Sequence, residues 1–237
     1  TNAIQQSALL GQLIFDSQTG EHLKEWYLPS INDVGRGECM DVDPDHLGYE
    51  VYSTMANLYD CKGEVIKEGA TSYPYEGIWW DGDLGREVVN SPGGSGFSSN
   101  VMITKYNGNR LAEFSQASNW DTHAGWAVRP TFWGDIIGDW REEVVLLYNP
   151  GGRNLGLVGY TTNIPTDYSF YTLQHDPHYR QDCTTRGYYQ SPNTSFYLGY
   201  QMPMPPLPPV MKTDLRWSKG TVWAAGSTAF TDNSLSE

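Results

Sequence analysis

DVDPDHLGYEVYSTMANLYDCKG (residues 41–63) runs an acidic turn into a glutamate, a β-branched and aromatic stretch and a tight glycine turn, and the phrase returns twice more. The second copy is WDGDLGREVVNSPGGSGFSSNVMITKYNGN (80–109) and the third is GDIIGDWREEVVLLYNPGG (134–152). Glu50, Glu87 and Glu143 mark the recurrence. Each copy sets an acidic loop ahead of a strand and turns back at a hairpin such as Asp60-Cys61-Lys62-Gly63 or Asn107-Gly108. Short strands and hairpins at this spacing are what propeller blades produce, with about four strands in every ~40–50 residues. The expected fold is therefore all-β, a β-propeller, and the same arithmetic gives roughly four or five blades for this chain.

Composition agrees. A chain of 237 residues with 39% hydrophobic and 14% aromatic content can bury a substantial core. Its 25 glycines and 14 prolines, set between short apolar runs, favour strands over long helices. The formal net charge is −13, from 28 acidic against 15 basic residues, which is the wrong sign for nucleic acid or an anionic membrane. An acid excess suits cations instead. No apolar run approaches the ~18 residues of a membrane span. The start, TNAIQQSALLGQLIF, lacks a basic leader and cleavage site, so a signal peptide is expected to have been removed or an upstream part to be absent. Cys39, Cys61 and Cys183 are odd in number and show no zinc spacing; the first two read as buried thiols or as a disulfide.

The acidic loops carry the first chemistry. Asp41-x-Asp43-x-Asp45, followed by Gly48 and Glu50, turns alternate carboxylates toward one point and closes the shell with a glutamate, as a hard oxygen-seeking cation such as Ca²⁺ requires. The second loop offers Asp81, Asp83 and Glu87, and the third Asp135, Asp139 and either Glu142 or Glu143, of which Glu142 is the chosen ligand. Solvated turns with side-chain-to-backbone hydrogen bonds are the alternative reading of each.

Two regions depart from the repeat. LGLVGYTT, SFYTLQHDPHYR and SFYLGY alternate well enough to be strands joined by a loop rich in His, Asp and Arg, in which Asp176 is expected to pair with Arg180. MPMPPLPPV (202–210) must be extended, and DLRWSKGTVWAAG reads as a last hairpin. Residues 1–200 are thus expected to form propeller blades in a partial ring, and 201–237 a proline-rich connector with the terminal hairpin that closes it.

GRGECMDVDPDHLGYEVY (35–52), IWWDGDLGREVV (78–89), GDIIGDWREEVV (134–145), YTLQHDPHYR (171–180) and SFYLGY (195–200) resemble consecutive segments of family 11 rhamnogalacturonan lyases, over about residues 11–200. The resemblance implies part of an eight-bladed propeller with structural calcium, secreted to the cell exterior. It also implies cleavage of the rhamnose–galacturonate backbone of pectin by β-elimination, with upstream blades or a second chain completing the cleft. A 237-residue chain is then expected not to be a complete catalytic unit by itself.

Elimination from a uronate needs its carboxylate neutralised, a base for the C5 proton and departure of O4. Arg36 is the candidate carboxylate clamp; the alternative is a structural arginine paired with Glu38. His123 is the first candidate base, Tyr189 the second and His175 the third, and the family's base can also lie in the missing half. Gly125, Trp126 and Tyr188 are the candidate sugar contacts. The chain reads Thr122-His123-Ala124-Gly125-Trp126 where the family tends to carry an Asn-Gly-Thr loop, and Tyr188-Tyr189-Gln190-Ser191-Pro192 where it tends to carry Tyr-Asn-Gln-Pro-Pro. Two other functions therefore stay open: lysis of another rhamnose–uronate polymer, and a non-catalytic, calcium-stabilised carbohydrate-binding propeller.

Overall fold

The computed structural model describes residues 11–27, 37–54, 57–69, 76–90, 100–114, 130–148, 156–186 and 197–204, with the backbone of 222–223 and 229–230. The chain divides into two compact units, Thr1–Pro206 and Leu207–Glu237.

The first unit is built of antiparallel meanders in which strands adjacent in sequence pair. β1 (Gly11–Phe15) and β2 (His22–Tyr27) form a hairpin whose turn is fixed by Asp16, which accepts hydrogen bonds from the backbone of Gln18 and Thr19. Next along the chain is a four-stranded sheet of β3 (Gly37–Met40), β4 (Glu50–Ser53), β5 (Leu58–Tyr59) and β6 (Val65–Lys67). The second four-stranded sheet holds β7 (Gly77–Ile78), β8 (Glu87–Asn90), β9 (Val101–Thr104) and β10 (Arg110–Phe114). β11 (Phe132–Gly134), β12 (Glu143–Tyr148) and β13 (Gly156–Tyr160) make a three-stranded sheet. The expected turns at Gly63 and Gly108 are present. Both glycines have positive φ, 84° and 88°, a conformation that side chains with a Cβ rarely adopt.

Cores lie between successive sheets. Ile78, Trp80, Val89, Val101, Ile103 and Phe114 of the second sheet bury against Trp133, Val144 and Leu146 of the third. Met40, Val42, Tyr52 and Leu58 of the first meet Tyr106 from the turn after β9, and Ile14 of β1 packs on Val51 and Tyr59. Each sheet is too small to shield its own apolar face, so the face is covered by the next sheet along the chain.

SFYTLQHDPHYR is not a strand. It forms a 3₁₀ turn (Leu173–His175) and the helix α1 (Pro177–Cys183). Asp176 is the helix N-cap, accepting from the Tyr179 N–H at 2.9 Å, and Pro177 sits in the first turn, where its missing N–H costs nothing. A capped start outweighs the short apolar alternation. Arg180 donates to the carbonyls of Gln174 and His175, not to the Asp176 carboxylate. LGLVGYTT does supply a strand, β13, whereas residues 197–200 of SFYLGY run without strand pairing into a turn. Cys39, Cys61 and Cys183 are not joined by a disulfide. Among the described residues no helix is long and apolar enough to cross a membrane.

In the second unit, β14 (Val222–Trp223) pairs antiparallel with β15 (Ala229–Phe230), so the terminal hairpin forms further along than DLRWSKGTVWAAG alone suggests.

Candidate functional site

Each acidic loop bridges the first two strands of its sheet, and each is clasped the same way. The glutamate that opens the second strand lies opposite the last residue of the first: Glu50 faces Met40, Glu87 faces Ile78 and Glu143 faces Gly134. One carboxylate oxygen, Oε2, then accepts two consecutive loop N–H groups. For Glu50 these are Val42 and Asp43 at 2.8 and 3.0 Å; for Glu87, Trp80 and Asp81 at 2.7 and 3.3 Å; for Glu143, Ile136 and Ile137 at 2.7 and 3.0 Å. Charge-assisted bonds of this kind are stronger than neutral ones and fix the loop backbone. The loops differ in what meets the other oxygen.

In the first loop nothing among the described residues meets it. Glu50 Oε1 is buried with no hydrogen-bond partner, and so is Asp41 Oδ1. Asp41 Oδ2 accepts from the Tyr200 N–H at 3.1 Å and the Tyr197 hydroxyl at 3.3 Å, bonds that reach across almost the whole first unit. Gly199 permits this approach, since a Cβ there would lie 2.1 Å from the Asp41 carboxylate. Asp43 Oδ1 accepts from the Asp45 N–H, its Oδ2 lies 3.3 Å from His46 Nδ1, and Asp45 is exposed at the turn. Burial pushes the Asp41 carboxyl up to about 6, against its Tyr200 and Tyr197 donors. Glu50 is pushed up to about 8, chiefly by burial and further by Asp41 and Asp43. Two buried carboxylates, each with an oxygen left over, cost several kcal/mol unless a cation or proton joins them. Hard oxygens held on a fixed loop fit Ca²⁺.

In the second loop the ligand atoms of Asp81, Asp83 and Glu87 lie within 4.8 Å of one another, a buried acidic cluster of the kind that holds a cation. The Lys105 ammonium sits among them, 2.7 Å from Asp81, 2.8 Å from Asp83 and 2.6 Å from Glu87. Burial disfavours its charge, yet Glu87 and the two aspartates raise its pKa well above the usual lysine value.

The third loop has Ile137 where the others have Asp43 and Asp81, because Ile136 and Ile137 are the residues clasped by Glu143. Glu143 Oε1 accepts from the Thr161 hydroxyl at 3.2 Å. Asp135 accepts from Thr172, Leu173 and Gly138, and Asp139 binds Arg141 at 2.6 Å. Glu142 does not join the loop. Its carboxylate takes Arg186 and the Tyr179 hydroxyl on one oxygen and the Trp79 N–H on the other, in a fully buried network. Trp140, at the end of the same loop, has φ 75°, an uncommon conformation for a bulky residue, held by stacking on Phe170 and a bond from its indole N–H to the Tyr168 carbonyl.

Of the residues expected to act on substrate, Arg36, His123, Gly125, Trp126, Tyr188 and Tyr189 lie outside the described residues. His175 makes an edge contact with Tyr171. A cleft of about 450 Å³ opens between the first and second loops, lined by Asp43, Asp83, Lys67, Lys105, Tyr106 and Tyr200. Sequence reasoning missed Lys105, Arg141 and Arg186. Only Arg141 carried a local signal, two residues after the aspartate it pairs with.

Residues 2–208 match the family model described as rhamnogalacturonan lyase family 11, C-terminal domain. The chain is 39% identical over 205 residues to Rhamnogalacturonan endolyase YesW of Bacillus subtilis (strain 168), covering 86% of this chain and 31% of that protein. It is 35% identical over 210 residues to Rhamnogalacturonan exolyase YesX of the same organism, covering 84% and 33%. The crystal structure of YesW superimposes with a TM-score of 0.62 at 36% identity, over 83% of this chain and 34% of that one. Bacillus licheniformis Rhamnogalacturonan Lyase PL11 gives 0.62 at 35% identity, over 82% and 33%. The chain thus spans about a third of the length of the curated relatives it matches, and within that span it belongs to rhamnogalacturonan lyase family 11, as a C-terminal domain.

Proposed function

We propose that this chain is the C-terminal part of a secreted, calcium-binding rhamnogalacturonan lyase, with sheets that are blades of an eight-bladed propeller completed by upstream blades or by a second chain. The observation that carries the activity is the match to lyases over most of the chain. The substrate is rhamnogalacturonan I or a related rhamnose–uronate polymer, cut by β-elimination.

In this reading Arg36 pairs with the uronate carboxylate and withdraws its charge, which acidifies the C5 hydrogen. His123, with Tyr189 as second candidate, takes that proton; the electrons form the C4–C5 double bond and O4 leaves with the departing chain. Gly125, Trp126 and Tyr188 position the sugar rings. A calcium ion held by Asp41, Asp43, Asp45 and Glu50 would add positive charge that screens the acid-rich domain from an anionic polymer. The charge of the chain, −13, makes such masking necessary.

The test is near-ultraviolet absorbance of the 4,5-unsaturated product, with rhamnogalacturonan and other rhamnose–uronate polymers offered to the chain alone and with the upstream part of a curated relative. Product is expected in the completed mixture. Polymer binding without product in either would favour a carbohydrate-binding domain.

A further inference from the structure

The second loop has the acidic pattern of a metal site and already contains a cation. Lys105 stands at the end of β9, where the chain enters the turn to β10, so the strand order of the sheet carries its ammonium back to the loop between β7 and β8. Nζ lies within 2.8 Å of an oxygen on all three acidic side chains, Asp81, Asp83 and Glu87. It also lies 3.4 Å from the Tyr200 hydroxyl. The Glu87 side chain is fully buried and that of Lys105 is only 19% exposed. A Ca²⁺ ion bonds carboxylate oxygens at about 2.3–2.6 Å, so an ion sharing these three oxygens would stand within about 5 Å of the ammonium. In a buried site like charges at that distance cost several kcal/mol.

The third loop shows the same exchange in another form. Arg141 binds Asp139 through Nη2 at 2.6 Å and donates through Nη1 to the Ile164 carbonyl, also at 2.6 Å. An isoleucine replaces the clasped aspartate there. Only the first loop combines buried, unpartnered carboxylate oxygens with no lysine or arginine bonded to its acidic side chains among the described residues.

We propose that Lys105 and Arg141 are built-in replacements for a metal ion, so that of the three acidic loops only the first takes calcium. The second and third loops then keep their shape at any calcium concentration, and calcium dependence is confined to the sheet of β3–β6. The inference concerns bound metal, and it stands or falls separately from the lyase reading.

Atomic emission on gel-filtered protein, counting calcium per chain, tests it. Asp81→Asn and Asp139→Asn are expected to leave the count unchanged, and a loss of one ion from either would overturn the proposal. Lys105→Met, which leaves three carboxylates without their cation, is expected to gain one ion per chain and to melt higher as calcium is added. If this variant folds only in calcium it is refolded and counted there, and no gain would equally overturn the replacement. Glu50→Gln serves as the separate arm: if it keeps the full count, calcium on the first loop fails, while the assignment of Lys105 is judged by the other variants.

Discussion

Glu142 and Glu143 are neighbours in the chain with different tasks: Glu143 clasps the N–H groups of Ile136 and Ile137, while Glu142 forms a buried ion pair with Arg186. A strand start sends consecutive side chains to opposite sides, so one glutamate faces its own loop and the other faces α1 and Arg186 just beyond it. The doubled Glu in WREEVV therefore serves two structures at once.

Arg186→Ala should destabilise the domain by about 3–5 kcal/mol, because it strands the Glu142 carboxylate without its partner in the interior. Urea denaturation is the check. Arg186→Ala combined with Glu142→Gln should recover part of the loss, since the uncompensated charge is then gone; no recovery would mean that packing of Arg186 over Trp133 and Tyr179 dominates.

Glu143→Ala should cost about 2–3 kcal/mol by leaving two loop N–H groups without their charged acceptor. Amide exchange at Ile136 and Ile137 should accelerate before global unfolding. Equal protection in the variant would show that the clasp does not hold the loop.

Removing calcium with excess EGTA should lower the melting temperature. An ion present at about 100 times its Kd contributes about 2.7 kcal/mol, which for a domain of this size is about 5–10 °C. Glu50→Gln should melt lower than the parent in calcium and respond less to EGTA. A parent melt that ignores the chelator would rule out a stabilising ion.

Arg36→Ala should reduce elimination far more than stability, in whatever assembly is active, because the clamp acts on charge that grows as the C5 proton leaves. A loss of about 100-fold or more in kcat with little change in Tm is expected. Near-normal turnover would remove Arg36 from the site.

The repeat was legible because its marks are local. A glutamate opposite the last residue of the preceding strand and a glycine at positive φ are fixed by spacing alone. The glutamates lie where all three copies of the phrase put them and the glycines where the first two do, Gly151 and Gly152 of the third lying outside the described residues. The cations were not legible. Lys105 is 18 residues from Glu87 and Arg186 is 44 from Glu142, and only pairing of strands and docking of α1 bring them in. The helix was hidden by aromatic residues that mimic strand alternation, although Asp176-Pro177 is a helix-start signal. Aspartates in a loop mark a need for positive charge; they do not say whether an ion or a side chain supplies it.

The bonds from Tyr197 and Tyr200 to Asp41 have a consequence during synthesis. They join residues 156 and 159 positions apart, and Gln201 adds a bond to the Pro44 carbonyl 157 positions back. A ribosome releases the chain from its amino end, so the first sheet emerges long before the segment that seats Asp41. Until residues 197–201 are made, Asp41 Oδ2 lacks both of these donors, and the first acidic loop is among the last parts to be finished. Nascent chains halted before Tyr197 should therefore be open to proteases around residues 41–49 even when β3 to β6 have paired.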